Sequence, residues 1–456
     1  MSLEVNLDLI KKYNKPGPRY TSYPTAPHFT ESVGQDIWNE HIRLNNKNGD
    51  RDLSLYYHLP FCDTLCWFCG CTVIITRKRE NIEAYLNYLF REIDLIKERL
   101  HLDRKVTQIH FGGGTPTYLS PDQIRRLGEK LKQSFQFAND IEIGSEMDPR
   151  GLTEEHIQAL AEAGFNRASM GVQDFNPTVQ KAVNRINSFE MVAQVIEWIR
   201  THNFQSLNLD LIYGLPHQTR SSFEKTIDKI LKLNPDRLAV FNYAHVPWMK
   251  PHQKLIKDED LPTPEEKLMM LKMIIERLTS AGYVYIGMDH FAKEDDELTI
   301  AQKNKSLQRN FQGYSTKSGA DIYAMGMSSI SQLDGIYAQN YKELPTYYDR
   351  INANQLPIEK GYVLSEDDKI RRDTIMHLMC DLELDFTKLS KKLGIDFTQY
   401  YRDSLNRLTE FEQDGLLIRE ADKITMTDTG RLFIRNVAME FDSYLEKSEV
   451  RYSKTV

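Results

Sequence analysis

Residues 53–71 read LSLYYHLPFCDTLCWFCGC. The run Leu53–Leu59 has the composition of a β-strand, and a cysteine-rich loop follows it directly. Four of the five cysteines, Cys62, Cys66, Cys69 and Cys71, fall in this loop, whereas Cys380 sits far away in an apolar stretch and reads as a small buried hydrophobe. Clustered thiols in a reducing compartment bind metal or do redox chemistry more often than they form structural disulfides, so a cytoplasmic location is expected. A tetrahedral zinc site on all four cysteines is sterically poor, because every ligand would come from one tight turn. An iron–sulfur cluster is larger and accepts ligands from a short loop. If three cysteines bind it, one iron stays open for an outside ligand.

Working outward, β-rich runs alternate with helical patterns. Strands are expected at Leu53–Leu59, Val106–Phe111, Ile141–Glu146, Ala168–Val172, Ser206–Tyr213, Leu238–Tyr243 and Tyr283–Gly287. Ser120, Pro121 and Gln123 spell a capped helix start, with Ile124, Leu127 and Leu131 on one face. Thr153 opens another helix, which closes near Gly164. Strand–helix alternation of this length predicts a parallel sheet curled into an open or closed β/α barrel of six or seven units. Chemistry in such barrels sits at the C-terminal ends of the strands. The cysteine loop follows the first strand, and Gly112-Gly113-Gly114-Thr115-Pro116 follows the second. Glu146 ends the third, Gln173 follows the fourth, Asp210 lies in the fifth, and Ala244-His245 follows the sixth. The glycine run lacks the pattern of a dinucleotide fold or a P-loop. It either serves tight packing or lets backbone groups approach a ligand, and beside a cysteine loop the second reading is preferred.

Beyond residue 365 the rhythm changes. Helices are expected over Phe386–Leu393 and Phe397–Gln413, a hairpin over Leu416–Ile418 and Ile424–Met426, and a last helix capped by Thr427. This order resembles a winged helix, but fold alone does not license a DNA-reading role. The chain of 456 residues carries 58 basic and 65 acidic side chains, a net charge of −7, and no basic cluster, so nucleic acid is not an expected partner. Hydrophobic residues at 41% and charged residues at 27% fit a globular protein, and no apolar run reaches the length of a membrane helix. The N-terminus lacks the apolar core of a secretory signal. An inter-domain stretch is expected around Gln355–Ser365.

C-x3-C-x2-C with Phe68 before the third cysteine resembles the radical S-adenosylmethionine (SAM) superfamily. PRYTSYPTAPHF, HLPFCDTLCWFCGC, HFGGGTPTYL, SMGVQDFN, NLDLIYGLP, FNYAHVP, GMDHFA and RNFQGYST together resemble HemN-type oxygen-independent coproporphyrinogen III oxidase (dehydrogenase), over essentially the whole chain. The resemblance implies a partial (β/α)6 TIM-like barrel with an N-terminal arm (1–50), a radical SAM core with an extension (51–355) and a mostly helical, winged-helix-like C-terminal domain (356–456). It implies oxidative decarboxylation of two propionates of coproporphyrinogen III to vinyl groups, through a SAM-derived radical. Cys62, Cys66 and Cys69 would hold a 4Fe-4S cluster. Two SAM molecules are implied: Tyr56, Gly113, Glu146 and Ile330 would contact the cluster-bound one, and Phe68, Gly114, Thr115, Gln173, Arg185, Asp210 and Ala244 the second. Cys71 is given no role. Arg19 and Arg309 are candidates for pairing with substrate carboxylates. A low-potential donor such as a flavodoxin or ferredoxin and an unidentified electron acceptor complete the partners of a monomer. Two other classes compete. A haem-binding radical-SAM-like chaperone would tend to lack the PRYTSYPTAP arm and Cys71, and a tRNA-modifying enzyme would need a basic RNA-binding module.

Overall fold

The computed structural model describes residues 5–47, 51–101, 103–445 and 452. Packing divides the chain into two compact units, Phe29–Lys267 with Gly319–Val363, and Met1–His28 with Leu268–Ser318 and Leu364–Val456. The first is called the barrel unit and the second the terminal unit.

Six strands organise the barrel unit: β1 (Leu53–Leu59), β2 (Lys105–Gly113), β3 (Gln136–Met147), β4 (Arg167–Gln173), β5 (Ser206–Tyr213) and β6 (Arg237–Asn242). Each pairs in parallel with the next. Helices occupy the crossovers, and the predicted capping box is present: Ser120 N donates to Gln123 Oε1 at 3.0 Å and Gln123 N to Ser120 Oγ at 3.3 Å. Strand β3 starts earlier than expected, because the polar run from Gln136 lacks apolar alternation yet still pairs with Lys105 and Val106.

Alternation along β4 and β5 separates two environments. Ala168, Met170, Val172, Leu207, Leu209 and Leu211 are buried, while Ser169, Gln173, Asn208 and Asp210 alternate with them. The apolar set faces the helices and the polar set faces the lumen. TIM barrels ordinarily fill that lumen with branched apolar side chains. Here it is polar, which suits it to hold a ligand rather than to serve as core.

Beside β1 lies strand Asp321–Met325, also parallel, and then an antiparallel ladder of Ile330–Leu333, Ile336–Asn340 and Ile358–Val363. The stretch expected as a linker, Gln355–Ser365, is therefore mostly sheet. Its polar residues mark an outer strand, and chain passage between units falls at Val363–Leu364. The buried Glu92 carboxylate ties this region down by accepting from Gly326 N at 2.7 Å, Asn340 Nδ2 at 2.7 Å and Tyr347 Oη at 2.6 Å.

In the terminal unit, Tyr283–Gly287 pairs antiparallel with His290–Lys293 rather than extending the six-strand parallel run. The helix Leu7–Tyr13 packs the Tyr13 ring on Phe411, 4.8 Å between centroids, so the N-terminal arm and the C-terminal segment share a core. The linear partition into 1–50, 51–355 and 356–456 is cut across by this packing. Helix Phe386–Leu393 and a hairpin of Leu417–Arg419 with Lys423–Met426 form, with strand Glu383–Asp385, the winged-helix-like part. The expected helix Phe397–Gln413 is three short helices, interrupted at Tyr401 and Leu408. Cys380 lies in an apolar cluster with Ile286, Ala292, Leu298 and Leu307, as its surroundings in sequence suggested. Among the described residues, no helix is long and apolar enough to cross a membrane.

Candidate active site

The cysteine loop leaves the C-terminal end of β1 and is held by groups from several elements. Gly114 N donates to Leu59 O and Thr115 N to Phe61 O, each at 2.9 Å, so the turn after β2 braces the start of the loop. This requires glycine. A Cβ on Gly114 would lie 2.5 Å from Pro60 O, and Gly113, at φ +116°, would push one to 2.7 Å from the His58 ring. The glycine run thus packs on the loop itself, and Gly113 N donates to Glu146 Oε2 at 3.3 Å.

Farther along, Trp67 N donates to Val183 O at 3.0 Å and Asn184 Nδ2 to Leu65 O at 2.9 Å. Gln253 Nε2 donates to Phe68 O at 3.0 Å and Lys250 Nζ to Cys71 O at 3.0 Å, while His252 Nε2 lies 2.8 Å from Cys69 O. Trp67 and Phe68 pack against Val179, Val183, Leu215 and Tyr243, so Phe68 is part of an apolar wall beside the loop.

The three thiols have distinct surroundings. Cys62 Sγ lies 3.2 Å from Thr115 Oγ1, and burial pushes its thiol up to about 11. Cys66 Sγ receives Arg150 Nη2 at 3.4 Å and Arg185 Nη1 at 3.6 Å. The Cys71 thiol donates to the Cys69 sulfur, which holds Cys69 well below the usual thiol range. No three His, Cys, Asp or Glu side chains among the described residues gather closely enough to hold one metal ion.

Arg185 is buried, at 7% exposure. Its Nη1 pairs with Asp148 Oδ2 at 2.8 Å and its Nη2 donates to Gly171 O at 2.5 Å, while its buried Nε has no partner. Asp148 also binds Arg150 at 2.6 Å. Burial raises the Asp148 carboxyl, but Arg185 and Arg150 outweigh it and hold the group below the usual carboxylate range.

On the lumen side, Tyr56 stacks on His110 with 6.0 Å between centroids, and His110 Nε2 lies 3.6 Å from Glu146 Oε1. Burial lowers the His58 imidazole below its ordinary value, and its Nε2 lies 3.0 Å from Thr72 O. Asp210 accepts from Asn208 Nδ2 at 2.7 Å and Ser169 Oγ at 3.3 Å. Burial, and then the charge of Glu146, push its carboxyl up to about 7. Gln173 adopts φ +67°, and its buried Oε1 has no partner. Ala244 is exposed just past β6, and Ile330 opens the strand that returns beside β1. Tyr56, Phe68, Gly113, Gly114, Thr115, Glu146, Gln173, Arg185, Asp210, Ala244 and Ile330 thus all belong to the barrel unit. Gly113, Gly114, Thr115, Glu146, Gln173 and Ala244 stand at or just past strand C-terminal ends, Phe68 and Arg185 lie in the segments that follow β1 and β4, Tyr56 and Asp210 lie within β1 and β5, and Ile330 opens its own strand. Arg19 and Arg309 belong to the terminal unit, where Arg309 Nε donates to Arg19 O at 3.3 Å.

Arg150, Lys250, His252 and Gln253 were not singled out in the sequence. Arg150 had one available signal, two residues after Asp148 at a strand end. The other three lie in a loop and a short 3-10 turn, where no periodicity marks them.

A buried acid raised to about 7 destabilises the fold as it ionises. Below about pH 3.8 the folded and unfolded chains both hold the proton, so this contribution is lost progressively as pH rises from there to about 7. Asp210→Asn is therefore expected to stabilise the cofactor-free protein at pH 8 by on the order of 1 kcal/mol, and to have no such effect at pH 4. Denaturant melts at the two pH values check this. Equal shifts at both would contradict it.

The radical SAM superfamily model matches residues 56–230, and the HemN C-terminal domain model matches residues 364–433. The chain is 45% identical over 454 residues to an oxygen-independent coproporphyrinogen III oxidase of Helicobacter pylori, covering 99% of each. It is 46% identical to the protein of that name from Escherichia coli, covering 98% of this chain and 96% of the relative. A solved structure described as coproporphyrinogen III oxidase (HemN) from Escherichia coli, a radical SAM enzyme, superposes with a TM-score of 0.93 at 44% identity. That match covers 98% of this chain and all of the other. A cysteine loop at the mouth of a polar six-stranded barrel, followed by the HemN C-terminal domain, is what such full-length likeness predicts, and the chain belongs to the oxygen-independent coproporphyrinogen III oxidases of the radical SAM superfamily.

Proposed function

We propose that this protein decarboxylates two propionate side chains of coproporphyrinogen III oxidatively, giving two vinyl groups and two CO₂ and yielding protoporphyrinogen IX in the cytoplasm. The observation that carries the reading is end-to-end likeness to oxidases of that name, joined to three thiols at the open end of a polar barrel. Cys62, Cys66 and Cys69 would hold a 4Fe-4S cluster. The donor set fits: the thiols share one loop without closing on a single ion, and Arg150 and Arg185 beside Cys66 offset thiolate charge.

The lumen likewise fits a cationic sulfonium carrying a carboxylate. The charge of Glu146 disfavours ionisation of Asp210, a repulsion that a cation would relieve. Arg185 Nε and Gln173 Oε1 are buried polar atoms without partners. Tyr56, Gly113, Glu146 and Ile330 are proposed to contact a first SAM, and Phe68, Gly114, Thr115, Gln173, Arg185, Asp210 and Ala244 a second. When bound, the cluster and SAM supply one-electron cleavage of a sulfonium and a carbon radical that takes a hydrogen atom. That chemistry is required because the saturated propionate β-carbon has no acidic proton for a base to remove. The chain's own residues then orient and screen. Phe68 and Trp67 wall off water, Asp148 fixes the Arg185 guanidinium, and His58 holds the Thr72 carbonyl of the loop. Loss of CO₂ leaves one electron per propionate, so a separate acceptor takes part.

Anaerobic holoprotein given SAM, a low-potential reductant, an electron acceptor and coproporphyrinogen III is expected to release two CO₂ per substrate consumed. A haem-carrying chaperone would release none, and that result would overturn the proposal.

A further inference from the structure

The terminal unit brings three arginines, Arg19, Arg309 and Arg435, close enough for their charges to act on one another. Arg309 and Arg435 are 6% and 5% exposed, and Arg19 is more open. Asp289, in the turn joining Tyr283–Gly287 to His290–Lys293, binds Arg19. Its charge acts on both Arg309 and Arg435. Burial, with the mutual repulsion of these cations, holds Arg435 down to about 10 and Arg309 below its ordinary value.

The arginines divide by role. Arg435 braces the arm, donating from Nε to Pro18 O at 3.1 Å and from Nη2 to Gly17 O at 2.5 Å. Arg309 has much less to do. Its Nε reaches Arg19 O at 3.3 Å, its guanidinium lies 4.8 Å from the Tyr314 ring centroid, and its Nη1 is buried with no hydrogen-bond partner. Buried cations ordinarily find an anion. A planar guanidinium with a spare buried N–H, beside two other guanidiniums, is shaped for a carboxylate.

We propose that Arg309, supported by the fields of Arg19 and Arg435, grips a carboxylate of the polycarboxylated tetrapyrrole, and that Asp289 is the resident counter-ion which moderates the site when it is empty. The assignment rests on the proposed substrate, which carries four carboxylates. It makes Arg309 a substrate-binding residue and gives the arm a function, because residues 17–19 complete the surroundings of the guanidinium.

The test uses anaerobic holoprotein and fluorescence titration with coproporphyrin III, the stable oxidised form, alongside its tetramethyl ester. Arg309→Gln is expected to weaken binding of the tetra-acid by about tenfold or more, the size of one charge-assisted hydrogen bond. Arg309→Lys should recover part of that loss, and Asp289→Asn should tighten tetra-acid binding. Affinity for the ester should stay the same throughout. The proposal is overturned if Arg309→Gln binds the tetra-acid like the parent, or if acid and ester weaken equally, which would mark a packing effect. It is also overturned if equilibrium dialysis shows SAM, rather than the porphyrin, losing affinity. Should Arg309→Gln fail to fold, Arg309→Lys and Asp289→Asn still decide, since their predicted shifts have opposite signs. The proposed reaction is judged apart: a parent protein that releases no CO₂ but loses tetra-acid affinity in Arg309→Gln would refute the reaction and keep the carboxylate site.

Discussion

Cys62→Ser should lose the iron–sulfur cluster and, with it, at least about a thousandfold of turnover, because a serine hydroxyl at this position is a poor substitute for a ligating thiolate. Serine keeps the hydrogen-bonding reach to Thr115 Oγ1, now 3.2 Å from the sulfur, so the fold should survive while ligation does not. Anaerobic reconstitution followed by iron and sulfide analysis gives the result directly. The parent should take up about four irons per chain and the variant far fewer. Cys380→Ser is the control. That thiol lies in the apolar cluster of the terminal unit, so its loss should cost stability and leave iron content unchanged. Full iron in Cys62→Ser would remove this residue from the ligand set.

The second large effect is expected at Arg185. Arg185→Met removes one partner of a buried ion pair and leaves Asp148 with Arg150 alone. Breaking such a pair costs roughly 3 kcal/mol of stability. The same change removes the unpartnered Nε proposed for a SAM carboxylate, so SAM affinity should fall by about tenfold or more. Adding Asp148→Asn should return part of the stability, because the uncompensated carboxylate goes, but none of the SAM affinity. Denaturant melts and equilibrium dialysis separate the two readouts. A variant that loses stability while binding SAM at parental strength would confine Arg185 to a structural role.

How far the sequence discloses this molecule depends on the range of the interactions involved. Strand ends are local facts. The β-rich runs, the Ser120–Gln123 capping box and the left-handed Gly164 are written in neighbouring residues, and they place Glu146 and Gln173 at the barrel mouth. Apolar periodicity is local too, but it reports a buried face and not an unbroken backbone. Phe397, Tyr401, Leu405, Leu408 and Phe411 are all buried, as the pattern over Phe397–Gln413 implies, yet the helix is interrupted twice. The stretch around Gln355–Ser365 misleads for the opposite reason. An outer strand has few apolar neighbours, so Ile358–Val363 looks like a connection although it pairs with Ile336–Asn340.

What long-range contacts build is least legible. His252, Gln253 and Lys250 lie some 180 residues from the loop they clamp, and their own turn gives no hint of the target. The Asp148–Arg185 pair joins the end of β3 to the residues after helix Pro177–Ala182, a contact that neither segment announces. Likewise Arg309 stands out in RNFQGYST and Asp289 lies in GMDHFA, but only tertiary folding brings them together with each other and with Arg435.

The most direct measurement is the electron paramagnetic resonance spectrum of the anaerobically rebuilt, reduced protein before and after SAM is added, followed by analysis for 5′-deoxyadenosine. With Cys62, Cys66 and Cys69 as ligands and one iron open, SAM should change the cluster signal, and 5′-deoxyadenosine and methionine should accumulate. A signal indifferent to SAM, with the sulfonium left intact, would contradict the account.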